Sequence, residues 1–290
     1  MADEHSSEHT HPGAGRQQAA HDPPTIALKP QAPLAERVLL PGDPQRALAI
    51  AQAELEQPPA MFNHRRGLWG YTGIAQDGKP LTVQSTGMGG PSAAMVVEEL
   101  IRLGARTLVR VGTCGALVPE VALGELIVAT EAIGADGTSA ALGAPPRQRT
   151  DARLTEALLA ACLPACARMG VPGCVRPDGY ARMGGGNQIR AGGARSGPVV
   201  TTDLFYDERP GIEAEWTAAG AIAVEMEAAT VLAAAARHGV AGACLLAVTD
   251  QLAAGHTGRQ RMSDDEVEAV GLDLGRVAVD ALCAAGESPA

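Results

Sequence analysis

Short apolar runs alternate with longer amphipathic segments along most of the chain. The short runs are bounded by Gly, Pro or Asp, which is typical of buried strands. Two of them flank Asp77-Gly78, which is a strong hairpin signal. The longer segments have the length and apolar periodicity of helices. The predicted strands are 36–43, a pair within 67–89, 106–117, 124–134, 197–206 and 243–250, and the predicted helices are 46–55, 91–104, 154–170, 225–239 and 263–285.

This alternation of strands and helices predicts an α/β fold with helices on both faces of the sheet. No internal repeat or linker interrupts the pattern, so we expect one domain over residues 25–290. Pro164 should kink or split the helix 154–170, because a proline inside a helix removes a hydrogen bond. Residues 134–150 are rich in Gly, Ala, Pro and Arg, and we expect them to form a mobile surface loop.

The composition excludes several classes of protein. Residues 1–24 are polar and rich in His, Gly and Pro, which predicts a disordered tail; a metal-binding His tract is the less favoured alternative. Neither a secretory signal nor an apolar run of the roughly 18 residues that span a membrane is found. The six cysteines form no CxxC pair, which favours a reduced, cytoplasmic protein. The net charge of −10 argues against nucleic acid or anionic membranes as main partners.

Polar residues gather where the predicted strands end, which is the edge of an α/β sheet where ligands bind. Gly42 and Arg46 combine a glycine turn with a cation at a helix start, which suits an oxyanion, although a tight turn with a surface arginine is the alternative. Arg110 lies inside an apolar strand and needs an anion, either a distant carboxylate or an oxyanion shared with Thr113. Asp250 ends another strand and could serve as a general acid or as a helix N-cap.

The glycine-rich segment 85–92 superficially matches a dinucleotide-binding loop. The third glycine of that motif is missing, and Pro91 intrudes. The preceding strand is also not the first of a βαβ unit, so the sequence does not predict a nicotinamide cofactor.

Two carboxylates, Glu225 and Glu227, flank Met226 at the start of an alanine-rich helix. Carboxylates are rarely buried without a partner, although the positive end of a helix dipole favours them. Binding of a polar ligand by one or both is one explanation; for Glu225, a structural hydrogen bond to backbone amides is the other.

Seven segments, taken in order, resemble the purine nucleoside and uridine phosphorylase family in its hexamer-forming branch. They are PGDPQRA (41–47), RRGLWGYTG (65–73), STGMGGPSAAMVVEEL (85–100), RVGTCGAL (110–117), TTDLFY (201–206), VEMEAA (224–229) and VTD (248–250). The resemblance implies a three-layer fold with a mixed, partly barrel-like central sheet. It also implies phosphorolysis, in which inorganic phosphate attacks the anomeric carbon of ribose and the nucleobase leaves.

The resemblance implies roles for twelve residues. Asp250 and Arg110 are catalytic, with Asp250 protonating the purine at N7. Phosphate is bound by Gly42, Arg46, Arg110 and Thr113, together with Arg66 of a neighbouring subunit in a dimer-based homohexamer. Ribose is bound by Glu225, Met226 and Glu227. The base is bound by Cys114, Gly115, Phe205 and Asp250. Neither a metal nor another cofactor is implied, since inorganic phosphate is a co-substrate.

The same resemblance favours purines over uracil. The purine branch carries an Asp at the position of Asp250, whereas the uridine branch reads uracil with a Gln and an Arg after the FY motif. Here that segment has Arg209 but no Gln. The arginine that some members pair with the catalytic Asp is either Arg259 or Arg261.

Other functions stay open. The histidine that reads the 5′-hydroxyl in the purine branch has no counterpart in register, and the nearest is His21; a methylthioadenosine phosphorylase is therefore an alternative. A uridine phosphorylase is another. A nucleoside hydrolase would not need three arginines. A nucleoside-binding module without activity is the non-enzyme alternative.

Overall fold

A computed structural model describes residues 25–168, 193–252 and 260–286, with the backbone alone for 163–168. The predicted tail 1–24, His21 and Arg259 lie outside the described residues. The division into a tail and one domain therefore stays a prediction.

The elements follow one another in the alternating order that the sequence predicts. The strands are β1 (Arg37–Pro41), β2 (Ala60–Asn63), β3 (Gly70–Ile74), β4 (Pro80–Gln84), β5 (Thr107–Ala116), β6 (Leu126–Ala135), β7 (Arg147–Arg149), β8 (Ala194–Thr202), β9 (Ala223–Glu225), β10 (Ala241–Gln251) and β11 (Gln260–Arg261). The helices are α1 (Pro44–Glu54), α2 (Gly90–Leu103), α3 (Gly137–Ala141), α4 (Ala152–Arg168), α5 (Ile212–Ala218), α6 (Ala228–Arg237) and α7 (Asp264–Ala285), with a 3₁₀ turn at Arg65–Gly67.

The central sheet is mixed and partly closed. Strand β10 pairs in parallel with β5 and antiparallel with β6, and the series β6-β8-β9-β5 completes a ring with it. Strands β1, β4, β3 and β2 extend from β5 as an open sheet. The mixed, partly barrel-like sheet expected from the resemblance is confirmed.

Helices cover both faces of this sheet, as predicted. The alternation of side chains along a strand sends successive residues to opposite faces. On β1, Val38 and Leu40 pack in one buried cluster with Val96 of α2, whereas Leu39 between them joins a second cluster with Ile50 of α1. The two clusters form the core on either side of the sheet, which gives the three-layer α/β architecture.

One local prediction is wrong, and a second is wrong in part. Residues 134–150 are not a loop: β6 continues to Ala135, and α3 and β7 follow. The Asp136 carboxylate starts α3 by accepting from Ser139 N at 2.7 Å, and such capping depends on a single residue rather than on composition. The helix α4 runs through Pro164 to Arg168, so the split does not occur, whereas the kink expected as its alternative stays a prediction.

The helix predicted from residue 225 begins later. Glu225 ends the short strand β9, Glu227 is the N-cap of α6, and the first helical residue is Ala228. Periodicity alone does not distinguish the last residue of a short strand from the first turn of a helix. No helix in the described ranges has the length and apolar character needed to cross a membrane.

Candidate active site

A cavity of about 690 Å³ opens at the carboxyl ends of β1, β5, β8 and β10. Parallel strands bring their following loops to one edge of the sheet, and ligand sites form there. Eleven of the twelve predicted site residues line this cavity: Gly42, Arg46, Arg110, Thr113, Cys114, Gly115, Phe205, Glu225, Met226, Glu227 and Asp250. Arg66 is not among the lining residues.

Arg110 is the centre of the buried polar network. It projects from β5 with 3% of its surface exposed. Its Nε donates to Glu225 Oε2 at 2.7 Å, and its Nη2 lies 2.5 Å from Glu227 Oε2. Its third nitrogen, Nη1, has no hydrogen-bond partner among the described residues. Arg110 can therefore bind an oxyanion as well as distant carboxylates, because Nη1 can still donate after Nε and Nη2 have bound Glu225 and Glu227.

Burial and charge act in opposite directions on this network. Burial disfavours the charged form of Arg110, but the neighbouring carboxylates of Glu227 and Glu225 outweigh it and raise the pKa of Arg110 above its ordinary value. Burial also disfavours the charged form of Glu227, which for a carboxyl group raises the pKa, and the charge of Glu225 adds to this shift. Arg110 and the amide of Gly89 oppose it. Arg110 is thus a permanent cation, and Glu227 is a carboxylate that depends on it.

The carboxylate of Glu225 is fully used by the protein. It accepts from Arg110 Nε, from the hydroxyl of Thr201 and from the backbone amides of Glu227 and Ala228, the last two at 2.8 and 2.9 Å. A carboxylate has about four lone-pair sites. Glu225 therefore binds the start of α6 and Arg110, which is the structural alternative raised for it above.

Glu227 has more free capacity than Glu225. Its Oε1 accepts from the amide of Gly89, and its Oε2 faces Arg110. Each oxygen therefore has one protein donor and a further lone pair. Met226 between the two glutamates lines the cavity and is half-buried. Two carboxylates two residues apart thus have different environments: Glu225 ends a strand, whereas Glu227 is at the N-cap position of α6 and its side chain makes no capping hydrogen bond.

Arg46 is the second cation of the cavity. It lies in the first turn of α1, which Asp43 caps by accepting from Gln45 N at 2.8 Å. Burial lowers the pKa of Arg46, and the charge of Arg110 lowers it further, whereas Asp43 opposes the shift. Within the described residues Arg46 forms no hydrogen bond and no ion pair. Two guanidiniums that disfavour each other and border one cavity are suited to an anion between them.

Asp250 lies at a break in the strand pairing. The register of β10 against β5 shifts between Val248 and Asp250, so Thr249 is the extra residue of a bulge. Bulges redirect side chains and are frequent beside active sites. The Thr249 hydroxyl donates to Asp250 Oδ2 at 3.2 Å, and Arg261 Nε lies 3.8 Å from Asp250 Oδ1. Arg261 lies beside Asp250 because β11 pairs the two residues. Arg259 lies outside the described residues, so the choice between the two arginines stays a prediction.

The remaining wall of the cavity is largely apolar. Phe205 is half exposed, and its ring meets that of Tyr206 edge-on, with centroids 5.0 Å apart. Cys114 is buried in the wall, and burial raises the pKa of its thiol, so the group is neutral. Sequence reasoning missed the wall residues Trp216 and Leu252, since α5 was not predicted and no motif marks either residue.

Arg66 has a different setting from the other site residues. It is exposed, and its φ of 59° places it in the left-handed region that L-residues seldom adopt. The exposed side chains of Met61 and Trp69 lie in the same segment. Its position outside the cavity of a single chain leaves its predicted role across an interface untested.

Within residues 25–168, 193–252 and 260–286, no group of three or more His, Cys, Asp or Glu side chains is placed to hold a metal ion.

The fold and the site together define a class of α/β proteins in which two arginines and two buried carboxylates border one cavity. The family model described as the Phosphorylase superfamily matches residues 36–283. The chain therefore belongs to the Phosphorylase superfamily, and the resemblance deduced from the seven segments is confirmed.

Curated relatives cover most of the chain. A protein named purine nucleoside phosphorylase DeoD-type from Caldanaerobacter subterraneus subsp. tengcongensis is 33% identical over 250 residues, which are 85% of this chain and 94% of the relative. One with the same name from Jannaschia sp. is 36% identical over 220 residues, 76% of this chain and 83% of the relative. A guanosine phosphorylase from Halorubrum lacusprofundi is 33% identical over 232 residues, 80% and 85% of the two chains.

Proposed function

We propose that the protein is a purine nucleoside phosphorylase. Inorganic phosphate displaces the base of a purine ribonucleoside or deoxyribonucleoside, which gives the free base and (deoxy)ribose 1-phosphate. The observation that carries this proposal is the Arg110 fork, in which one guanidinium holds the carboxylate of Glu227 and keeps Nη1 for a second anion. The names of the relatives support the purine as substrate.

In this proposal phosphate binds between Arg46 and Arg110. The two guanidiniums border the same cavity, and a dianion relieves the repulsion between them. Thr113 supplies a hydroxyl donor, and the backbone at Gly42 approaches the anion closely because no side chain intervenes. Arginine suits phosphate because its planar fork presents parallel N–H donors.

Glu227 then orients the ribose. Its two oxygens each have a lone pair left, so the 2′- and 3′-hydroxyls can donate to one carboxylate. Met226 contributes an apolar contact to the sugar. Glu225 is assigned to positioning rather than to ribose, because four protein donors already occupy its carboxylate. Arg110 thereby holds the phosphate and the carboxylate that holds the sugar.

The reaction is a substitution at the anomeric carbon. A phosphate oxygen forms a bond to C1′ as the C1′–N9 bond breaks, and the electron pair of that bond moves into the purine. Asp250, acting as a general acid, gives its proton to N7, so the base leaves neutral. The transition state has oxocarbenium character, as in glycoside cleavage, and the phosphate dianion stabilises it. Phe205, Cys114 and Gly115 bound the base, and no cofactor takes part in any step.

The proposed assembly is a dimer-based homohexamer in which Arg66 reaches the phosphate of a neighbouring subunit. Met61, Trp69 and Met88 have exposed fractions of 38%, 36% and 85%, and Met88 also borders the cavity. Exposed apolar side chains beside a site favour a partner surface there. We assign the enzyme to the cytoplasm, because Cys114, Cys244 and Cys283 are buried free thiols.

The test is the dependence of base release on phosphate. The full-length protein is incubated with inosine, guanosine, adenosine, methylthioadenosine or uridine, with and without phosphate, and free base and sugar phosphate are measured. We expect base release from purine nucleosides in equal amount to ribose 1-phosphate and only with phosphate present. Release without phosphate would indicate a hydrolase, and no release from any substrate would indicate a binding module.

A further inference from the structure

Two glycines lie directly against the two arginines of the cavity. Gly112 is on β5, two residues after Arg110 and on the same side of the strand. A Cβ atom at Gly112 would lie 2.8 Å from Nη2 and 2.9 Å from Cζ of Arg110. Gly271 is on α7, and a Cβ atom there would lie 3.0 Å from Nε and 3.5 Å from Cδ of Arg46. Each guanidinium therefore occupies space that a side chain at the neighbouring glycine would take.

Neither glycine is needed for its backbone conformation. The described glycines with positive φ include Gly87, Gly89 and Gly104, but not Gly112 or Gly271. A glycine inside a regular strand or helix lowers stability relative to alanine, because it loses more conformational freedom on folding. The advantage of glycine at these two places is therefore space, and the group that takes the space is an arginine in both cases.

The two arginines would respond differently to a lost glycine. Arg110 is buried and ion-paired with Glu225 and Glu227, so it has no alternative position that keeps both pairs. Arg46 is half-buried and has no hydrogen bond in the described ranges, so its guanidinium is positioned by packing and by the charges of Asp43 and Arg110 rather than by a directed bond. The side chain of Arg46 packs against the backbone of α7 at Gly271, where no Cβ atom is present.

We propose that Gly112 and Gly271 are positioning residues of the anion site, because each leaves its arginine the one position from which both guanidiniums reach the same phosphate. Gly271 acts on Arg46 alone. Gly112 acts on Arg110 and, through it, on Glu227. The identity of the anion as phosphate rests on the proposed function.

The test compares Gly271→Ala and Gly112→Ala with the unaltered full-length protein. Binding of inorganic phosphate is measured by titration calorimetry without nucleoside, and KM values for phosphate and inosine are measured separately. Loss of one charge-assisted hydrogen bond corresponds to at least about tenfold weaker phosphate binding. We expect Gly271→Ala to raise the phosphate KM and leave the inosine KM near its original value. Gly112→Ala should raise both.

Two glycines provide matched controls. Gly275 lies one turn after Gly271 on α7, and a Cβ atom there would lie 2.5 Å from Ile50 in the core. Gly242 lies on β10 beside β5, and a Cβ atom there would lie 3.1 Å from Ala235 and Leu232. Gly275→Ala and Gly242→Ala should change thermal stability without changing the phosphate affinity of the folded fraction.

Each outcome is informative. Folded Gly271→Ala protein with unaltered phosphate affinity would overturn the inference, and so would an equal loss of affinity in a control. If Gly112→Ala does not fold, Gly271→Ala decides alone. Unaltered protein that binds no phosphate would refute the proposed function instead, so the two failures are distinguishable.

Discussion

Replacing Arg110 by methionine tests the network at the centre of the site. Methionine keeps an apolar stem in the strand but removes the cation between Glu225 and Glu227. Both carboxylates have side chains no more than 6% exposed. The change therefore leaves two buried acidic groups facing each other without the cation that stabilises them.

The expected loss of stability is large. Removing one partner of a buried ion pair costs about 3–5 kcal/mol, because the other charge stays buried without compensation. Glu225 keeps its hydroxyl and amide donors, whereas Glu227 keeps only the amide of Gly89. Most of the cost therefore falls on Glu227. A domain has roughly 5–15 kcal/mol of total stability, so the variant should fold but with a small margin.

The loss should also depend on pH, and its sign follows from Glu227. Burial already raises the pKa of Glu227, and Arg110 opposes that shift. Without Arg110 the pKa of Glu227 in the folded protein rises further above its value in the unfolded chain, which is about 4.3. A group whose folded pKa is raised stabilises the fold in its protonated form. The destabilisation of Arg110→Met should therefore be greatest above the raised pKa and shrink as pH falls towards 5.

The assay is urea unfolding of the unaltered protein, Arg110→Met and the double variant Arg110→Met/Glu227→Gln between pH 5 and 8. Glutamine removes the uncompensated charge, so the double variant should recover stability and lose the extra pH dependence. Neither variant should bind phosphate. A loss under about 1 kcal/mol, or one that does not change with pH, would refute the ion-pair interpretation.

The other predictions address the chemistry and the assembly. Asp250→Asn should lower kcat for inosine by roughly 10²–10⁴-fold but spare 7-methylguanosine, whose N7 is already charged, in a steady-state assay; equal losses on both substrates would exclude Asp250 as the N7 acid. Arg66→Ala should raise the phosphate KM, and co-expression with Asp250→Asn should restore part of the activity, since mixed assemblies contain sites with Asp250 and a neighbour's Arg66. Activity that stays at the level of the separate variants would contradict a contribution across the interface.

Local patterns in the chain predicted the alternation of strands and helices and some of the residues that line the cavity. Apolar runs predicted the strands β1, β5, β6, β8 and β10 because a strand that is buried on both faces has an apolar composition. The Asp77-Gly78 turn between β3 and β4 was predicted from a backbone preference that is local to those residues. The glycine turns and the cations at strand ends were also predicted, because the end of an apolar run marks the end of a strand in the sequence.

Elements with weak local signals were not predicted. The strands β7, β9 and β11 have three, three and two residues, too few for any period to be visible. They form because a neighbouring strand provides hydrogen-bond partners. Closure of the ring likewise depends on β10 pairing with both β5 and β6, and those pairings join residues that are far apart in the sequence.

The division of labour between the two glutamates required the folded structure. Glu225 and Glu227 are the same type of residue and lie only two positions apart in the sequence. Arg110, which separates their roles, is 115 residues from Glu225 in the sequence, and Gly271 comes against Arg46 from the last helix of the chain. A sequence records which groups can ionise, bond or leave space. Which partners they meet depends on long-range packing, and here that packing gives the carboxylate of Glu225 four protein donors and that of Glu227 two.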